Sequence, residues 1–404
     1  MTDLSFLTAT QQTLCRLLAS VLFAAPRPED SQMDWPAVLE EARAQSVVIP
    51  AFSQCEAYAM DEAERREIQR QVQSLAARSI RSFEQHTAVH RLMADQGIPY
   101  CILKGVASAW YYPDRLARQM GDVDFFVARS DFARAAGILE ANGFTAEGVG
   151  HVHHVGYHKP GVELELHFDA PGVPDGEAGD RVRKLLAHWL EEAQWVEDAP
   201  FQFVIPSRFH HALIMLLHMQ NHLRSSGMGL RHLCDWAVLI AQYEEFEEEC
   251  RDKLAYAGLW KFAQLMSLAA VLALGLPRQE WMGSELETAQ ELLLEVVQGG
   301  NFGRKEKGRS GESLFINRRK EEEVSRVHQL FISLNSIVYA HWPWFKRCRA
   351  ALPLGWAGLA FRRIRKIWRG ERSSLRMVRS FQRSGKRKAL YDRLELFHRQ
   401  ADNL

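Results

Sequence analysis

The sequence predicts an α+β protein, in which a small mixed β-sheet core is flanked by helical regions on its N-terminal and C-terminal sides. Residues 1–97 repeat apolar side chains at helical spacing, as in Leu14, Leu17 and Leu18. Short strand-forming runs follow, and helical spacing returns after Pro206. The chain therefore divides into a helical region (1–97), an α/β core (98–205), a helical domain (206–297), a mobile charged loop (298–324) and a basic helical region (325–404).

The first half of the core reads as two strands and a helix. Strands are predicted over 100–103 and 122–128, where apolar and β-forming residues are concentrated. Ser130 is predicted to cap the next helix, since a serine hydroxyl can accept from a free N–H of the first turn. Asn142-Gly143 ends that helix, as glycine commonly does just past a helix C-terminus.

The second half of the core is predicted to be a β-hairpin followed by a further β pair. Strands around 151–158 and 161–168 are separated by Lys159-Pro160-Gly161, which favours a tight turn. A second short pair near 194–205 either closes the sheet or packs beside it.

Composition restricts the class of protein only loosely. The 404 residues carry 50 Lys and Arg against 50 Asp and Glu, so net charge indicates no acidic or nucleic-acid partner. The 6 cysteines form no Cys-x-x-Cys pair, which predicts a reducing, cytoplasmic location. The apolar run over 14–26 is interrupted by Arg16 and reads as an amphipathic helix, and no stretch reaches the roughly 18–20 apolar residues of a membrane span.

Two carboxylates stand two residues apart on the second strand. Asp122 and Asp124 share one face of it, while Val123 and Phe125 face the other way, because the side chains of a strand alternate. Like charges this close are unfavourable unless a cation lies between them or one of them is protonated. A bound divalent metal is the simplest explanation.

A later strand repeats the pattern with Glu163, Glu165 and His167 on one face. At least one of these acids can meet the first two, and three carboxylates would suit Mg²⁺, which also takes ligands from substrate phosphates. Two such ions could flank an in-line displacement at phosphorus. The alternative is a set of solvated acids on a sheet edge. A basic side chain wedged between the acids would contradict the metal hypothesis.

Several motifs in this order resemble a known family. They are Leu103-Lys104-Gly105, Tyr111-Tyr112-Pro113, Arg118, Gly121-Asp122-Val123-Asp124, Glu165-Leu166-His167, the segment 206–239 with His218, His222, Arg231 and Asp235, and Asn301-Phe302-Gly303. The chain resembles the nucleotidyltransferase superfamily with the polymerase-β-like fold, and within it the bacterial branch of uncharacterised nucleotidyltransferases. The resemblance covers most of 35–305.

The resemblance implies an activity and roles for the acids. The protein would transfer a nucleoside monophosphate from a nucleoside triphosphate to an unidentified hydroxyl- or phosphate-bearing acceptor and release pyrophosphate. Asp122 and Asp124 would hold Mg²⁺ or Mn²⁺ and the triphosphate. Glu165 would be the third metal ligand and would help to deprotonate the acceptor, with Glu163 as the competing candidate because both point the same way.

The resemblance also implies a phosphate-binding turn. Gly105 matches the glycine that lets the backbone approach phosphates closely, and Gly121 is expected in the same nucleotide site. The chain departs from the usual Gly-Ser pair of the superfamily, so Lys104 or Arg118 would supply a charge in place of the serine hydroxyl. Lys104 could instead lie in solvent at the strand end.

Histidines and one tyrosine complete the predicted pocket. Among the five histidines around the hairpin no pair has a recognised zinc-motif spacing, so His154 and His167 are expected to contact substrate or to orient an acid, with Tyr112 nearby. His218 and His222 share a helical face and could be ligands. The apolar character of their helix favours buried, hydrogen-bonded roles instead.

The C-terminal region concentrates positive charge. Residues 346–393 contain 16 Lys and Arg against two acids, and over 361–369 the basic residues lie beside apolar ones in an amphipathic pattern. Such a helix could contact an anionic membrane or nucleic acid, or pack its apolar face on the body of the protein. Two alternatives to catalysis therefore remain: a non-catalytic nucleotide-binding protein, and a membrane- or nucleic-acid-associated factor.

Overall fold

The fold was obtained as a computed structural model, which describes residues 3–28, 33–147, 153–305, 342–346, 348–368 and 387–398, with residues 331, 334–335 and 338–339. Its helices are α1 (Ala9–Phe23), α2 (Trp35–Gln45), α3 (Val48–Phe52), α4 (Glu62–Ala94), α5 (Val106–Ala109), α6 (Phe132–Ala141), α7 (Glu177–Leu185), α8 (Arg208–Arg224), α9 (Leu230–Ala241), α10 (Phe246–Ala257), α11 (Trp260–Leu274), α12 (Leu286–Gly299) and α13 (Leu352–Trp368). Its strands are β1 (Tyr100–Ile102), β2 (Val123–Val127), β3 (Thr145–Ala146), β4 (His154–Lys159), β5 (Val162–His167), β6 (Gln194–Asp198) and β7 (Phe201–Ile205).

The molecule is an α+β protein built on a five-stranded mixed sheet, as predicted. The strand order is β1-β2-β5-β4-β3, in which β2 and β5 are parallel and the other neighbours antiparallel. The parallel pair places equivalent residues of two strands side by side. This pairing decides which side chains meet at the candidate site.

The hairpin prediction is confirmed, and the choice left open for the β pair is settled. Strands β4 and β5 are joined through Pro160-Gly161, and Gly161 has φ of 80°, a left-handed value that glycine adopts without strain. Strands β6 and β7 form a separate two-stranded sheet beside the main one. The predicted cap Ser130 is wrong: α6 begins after Asp131, and the Ser130 hydroxyl donates to the Asp131 carboxylate instead of accepting from a backbone N–H.

Helices from both ends of the chain share one apolar core. Helices α1, α2 and α3 pack together with α8 to α12, and a second core lies between the sheet and α4, α5 and α6. Gln45 links the early and late helices of the first core. Its fully buried side chain donates from Nε2 to the Val297 carbonyl at 2.8 Å and accepts from the Leu230 N–H at 3.0 Å.

The C-terminal region is described in part. Helix α13 exposes Leu354 and Phe361, and the Arg362 guanidinium lies over the Trp342 ring at 4.8 Å. The predicted loop begins with ordered residues 298–305, whereas 306–324 and the basic stretch 369–386 lie outside the described residues. Contact with an anionic membrane stays a prediction. Within the described chain, none of the helices combines the length and apolarity that crossing a bilayer demands.

Candidate functional site

Three carboxylates converge where β2 and β5 run side by side. Asp124 on β2 is the register partner of Glu165 on β5, and Asp122 stands one residue before β2. One ligand oxygen from each of Asp122, Asp124 and Glu165 lies within 4.8 Å of the others. We call these three residues the acid cluster.

The register also separates the two candidates for the third acid. Glu163 is exposed and lies opposite His158 of β4, outside the acid cluster. Glu165 is the acid that joins Asp122 and Asp124. The two glutamates point to the same face, so only the alignment of β5 with β2 distinguishes them.

Two basic side chains contact the acid cluster. Lys104 Nζ lies 2.9 Å from Asp124 Oδ1, and His167 Nε2 lies 3.1 Å from the same oxygen and 3.2 Å from Glu165 Oε2. Asp124 and His167 are buried, at 3% and 1% exposure. His167 therefore bridges Asp124 and Glu165, so a basic side chain does lie between two of the acids, which counts against the metal hypothesis by the criterion set from the sequence. One ligand oxygen of each acid nevertheless stays within 4.8 Å of the others.

The pKa values in the cluster reflect mutual repulsion and these contacts. The charge of Asp124, followed by desolvation, raises the pKa of Asp122. Burial acts to raise the pKa of Glu165, but hydrogen bonds with His167 and Asp124 outweigh it, so the pKa is lowered. Burial acts against the charged forms of Lys104 and His167, yet the neighbouring carboxylates outweigh it and raise both pKa values.

The donor set fits a hard divalent cation. Three carboxylates lie together in contact with two basic groups, Lys104 and His167, and the charge of Arg231 also acts on Asp122. Repulsion strong enough to raise the pKa of Asp122 is relieved by a cation bound between the acids. Oxygen ligands of this kind suit Mg²⁺ or Mn²⁺.

The turn after β1 requires glycine at one position. Gly105 has φ of 62°, and a Cβ added there would lie 3.1 Å from Nε2 of the buried His86. Gly105 therefore lets the chain pass close to α4 and places Lys104 against the acid cluster. Gly121 lines the same cleft, but an added Cβ would meet no heavy atom within 4 Å.

Arg118 is committed to a buried ion pair. Its guanidinium donates to both carboxylate oxygens of Asp235 at 2.8 and 2.7 Å, and each side chain is 5% exposed. The Tyr112 hydroxyl donates to the same carboxylate at 2.8 Å and does not line the cleft. Arg118 borders the cleft, yet its charge is already neutralised.

Arg231 is the cleft arginine with few partners. Its one hydrogen bond within the described residues is a long one of 3.5 Å to the Gln119 carbonyl, and its buried Nε has no partner there. Burial and the neighbouring Arg118 lower its pKa to about 10, which still leaves it charged at neutral pH. Arg231 and Asp235 lie four residues apart on one helix, a spacing at which they could form an ion pair. Asp235 instead pairs with Arg118, which leaves the Arg231 guanidinium available to an anion.

The two hairpin histidines contact the acid Glu165. His154 Nε2 lies 3.7 Å from Glu165 Oε1, and His167 approaches the other carboxylate oxygen. This arrangement agrees with a role in orienting the acid. His154 is not among the residues that line the cleft, whereas His167 is.

The acid cluster lies in a cleft with a cavity of about 240 Å³. One side, the sheet wall, carries the acid cluster and Lys104. The other side, the helical wall, carries His218 and His222 of α8, His232 of α9 and the ring of Phe302. Phe302 is half exposed, has a left-handed φ of 54°, and packs its ring 4.9 Å from that of His222.

Comparison with known proteins identifies the family. No curated protein matched the chain. A family model described as an uncharacterised nucleotidyltransferase matches residues 31–275, which include the sheet, the acid cluster and helices α2 to α11. The chain therefore belongs to this family of uncharacterised nucleotidyltransferases.

Proposed function

We propose that the protein is a metal-dependent nucleotidyltransferase, which transfers a nucleoside monophosphate from a nucleoside triphosphate to an acceptor and releases pyrophosphate. The acid cluster carries this proposal, because three carboxylates from two parallel strands meet in a cleft within 4.8 Å of one another. Membership of a nucleotidyltransferase family supports the reaction class.

Asp122, Asp124 and Glu165 would hold Mg²⁺ or Mn²⁺. When bound, the cation would stabilise charge on the phosphate oxygens and orient the pyrophosphate leaving group. Lys104 and Arg231 line the same cleft and supply positive charge for the triphosphate. Arg118 would contribute indirectly, by holding Asp235 away from Arg231.

The acceptor oxygen attacks the α-phosphorus as the bond to the bridging oxygen of pyrophosphate breaks. A hydroxyl acceptor would pass its proton to Glu165, which is 30% exposed and is positioned by His167. A phosphate acceptor needs no base.

Pyrophosphate release tests the proposal directly. The full chain is incubated with ATP, CTP, GTP or UTP, Mg²⁺ and a metabolite extract, and pyrophosphate is measured for wild type, Asp124→Asn and Glu163→Gln. We expect release by wild type and Glu163→Gln and its loss in Asp124→Asn. Equal release by wild type and Asp124→Asn would overturn the assignment of the acid cluster.

One observation favours a second function, nucleotide binding without turnover. Lys104 already contacts Asp124 at 2.9 Å and could take the place of a metal charge there. Saturable binding of a triphosphate with no pyrophosphate release in any mixture would support that function over catalysis.

A further inference from the structure

Three histidines gather on the helical wall, outside the acid cluster. His218 and His222 lie on successive turns of α8, and His232 comes from the start of α9. The Nε2 atoms of His218 and His222 are 2.8 Å apart, and one ring nitrogen from each of the three lies within 4.8 Å of the others. We call these residues the histidine cluster.

His232 has no hydrogen-bond partner for either ring nitrogen among the described residues, although it is only 5% exposed. A buried imidazole without partners costs free energy, so such a group indicates a missing ligand or water. His222 is oriented from its other side, because Nδ1 lies 2.7 Å from the Ser226 hydroxyl. That contact directs His222 Nε2 towards the cluster, as partners behind metal-binding histidines commonly do.

Burial favours the neutral form of all three histidines. Burial, followed by the charge of Lys104, lowers the pKa of His222 to about 3. Burial also lowers the pKa of His218 and of His232 well below the ordinary value. Neutral imidazoles keep a lone pair available, which is the form that binds metals.

We propose that His218, His222 and His232 form a binding site for a divalent transition-metal cation such as Zn²⁺, distinct from the acid cluster. Imidazole nitrogens suit Zn²⁺ and its neighbours, whereas carboxylates suit Mg²⁺. Ligand nitrogens on a tetrahedral zinc lie about 3.3 Å apart, given Zn–N bonds of about 2.0–2.1 Å. The observed spread of ring nitrogens, from 2.8 to at most 4.8 Å, spans this value, so side-chain adjustments within the cluster can complete the site.

The site would have an open coordination position. Within the described residues only three ligands gather there, and all three line the cleft. Three protein ligands with a fourth position facing a cleft are typical of zinc sites that bind water or substrate. The fourth ligand of this cation is therefore an oxygen of water or of a molecule bound in the cleft.

Lys104 is expected to compete with the cation. Lys104 Nζ lies 3.3 Å from His218 Nε2, which has a single lone pair. That nitrogen cannot accept from the ammonium and bind a metal at the same time. Removing the ammonium should therefore strengthen metal binding at the histidine cluster.

Cobalt absorption tests the proposal without relying on activity. CoCl₂ is titrated into the full chain carrying Asp124→Asn, which disables the acid cluster, and the visible bands of tetrahedral Co²⁺ are recorded. We expect one bound Co²⁺ with those bands, at least tenfold weaker binding after His232→Ala, and tighter binding after Lys104→Met. His210→Gln is the matched control, because His210 is also buried on α8, eight residues or about 12 Å before His218, and is bound to the Leu185 carbonyl.

Unchanged Co²⁺ affinity and bands in His232→Ala, or loss of binding in His210→Gln equal to that in His232→Ala, would overturn the proposal. Circular dichroism of each variant identifies any that fail to fold, and Lys104→Met then decides the question, since unchanged or weaker binding contradicts the competition. These outcomes do not depend on pyrophosphate release. The experiments can therefore contradict the proposed function and still support the metal site, or contradict the metal site and still support the proposed function.

Discussion

The two walls of the cleft offer different chemistry to a bound molecule. The sheet wall is charged: its carboxylates are crowded, and Lys104 and His167 partly neutralise them. The helical wall carries imidazoles whose neutral form is favoured by burial, beside the charged Arg231 on the same helix as His232, and His232 lacks hydrogen-bond partners among the described residues. The cleft thus separates hard oxygen donors from nitrogen donors, and Lys104 contacts both sets.

A similar contrast exists between the two arginines of the cleft. Arg118 forms a bidentate pair with Asp235, whereas Arg231 makes one long hydrogen bond and lies over the Phe302 ring at 5.7 Å. We therefore assign stability to the first and anion binding to the second. The predictions below test these two comparisons, beginning with the largest expected effect.

Arg118→Met should lower the free energy of unfolding by about 3–5 kcal/mol, because it leaves the buried carboxylate of Asp235 without its counter-charge. Arg231→Met is the matched variant and should change stability by less than about 1 kcal/mol. Arg231→Met should also weaken triphosphate binding roughly tenfold or more, because it removes a charge-assisted hydrogen bond to the triphosphate. Urea unfolding and nucleotide titration measure the two effects. Equal losses of stability in the two variants would contradict the assignment of a stabilising role to Arg118 alone.

Glu165→Gln should reduce pyrophosphate release by about 10²–10³-fold, since it removes one charge from the acid cluster at the point where the reaction develops charge. Glu163→Gln should stay within about twofold of wild type, because Glu163 is exposed and outside the cluster. Initial rates at saturating triphosphate give the comparison. A larger loss in Glu163→Gln would mean that β5 presents the other glutamate to the metal.

Acid should destabilise the protein through its buried neutral histidines. Burial lowers the pKa of His86 and of His211 to about 4, whereas histidine in an unfolded chain titrates near 6.5. Between these values the unfolded chain binds more protons, so stability falls as pH falls. Each group should remove about 2 kcal/mol between pH 7 and pH 5.

Urea unfolding at pH 7 and pH 5 measures this loss of unfolding free energy. His211→Asn should abolish the part of the loss that His211 contributes. The exposed His188, changed to Asn, controls for the loss of a histidine at the surface. A pH-independent free energy of unfolding would show that His86 and His211 are not held neutral in the folded protein.

Gly105→Ala should cost about 1–2 kcal/mol of stability, because alanine at φ of 62° is strained and its Cβ presses on His86. Gly121→Ala should cost less than about 0.5 kcal/mol, since the added methyl group meets open space. Thermal unfolding of both variants makes the comparison. Similar losses of stability would indicate that Gly121 has as little room for a Cβ atom as Gly105.

Much of the sheet wall could be predicted from the sequence, because a strand alternates its side chains with a fixed period of two. That period placed Asp122 and Asp124 on one face and brought a glutamate from a neighbouring strand. It could not choose between Glu163 and Glu165, which share a face and differ only in register. Register depends on pairing between distant segments, which local pattern does not encode.

The helical wall was harder to predict. His218 and His222 were visible as a helical pair, but His232 begins another helix, and only the packing of α9 on α8 brings it near them. The separate roles of Arg118 and Arg231 likewise depend on tertiary contacts, since either could have paired with Asp235. The nearest sequence signal was the clustering of His, Arg and Asp over 218–235.

The buried Gln45 has a consequence for biosynthesis. Its partner Val297 lies 252 residues further along the chain. At typical synthesis rates of about 5–20 residues per second, roughly 10–50 s pass before that carbonyl is made. During this interval the apolar faces of α1 and α2 that pack on the late helices have no such helices to cover them.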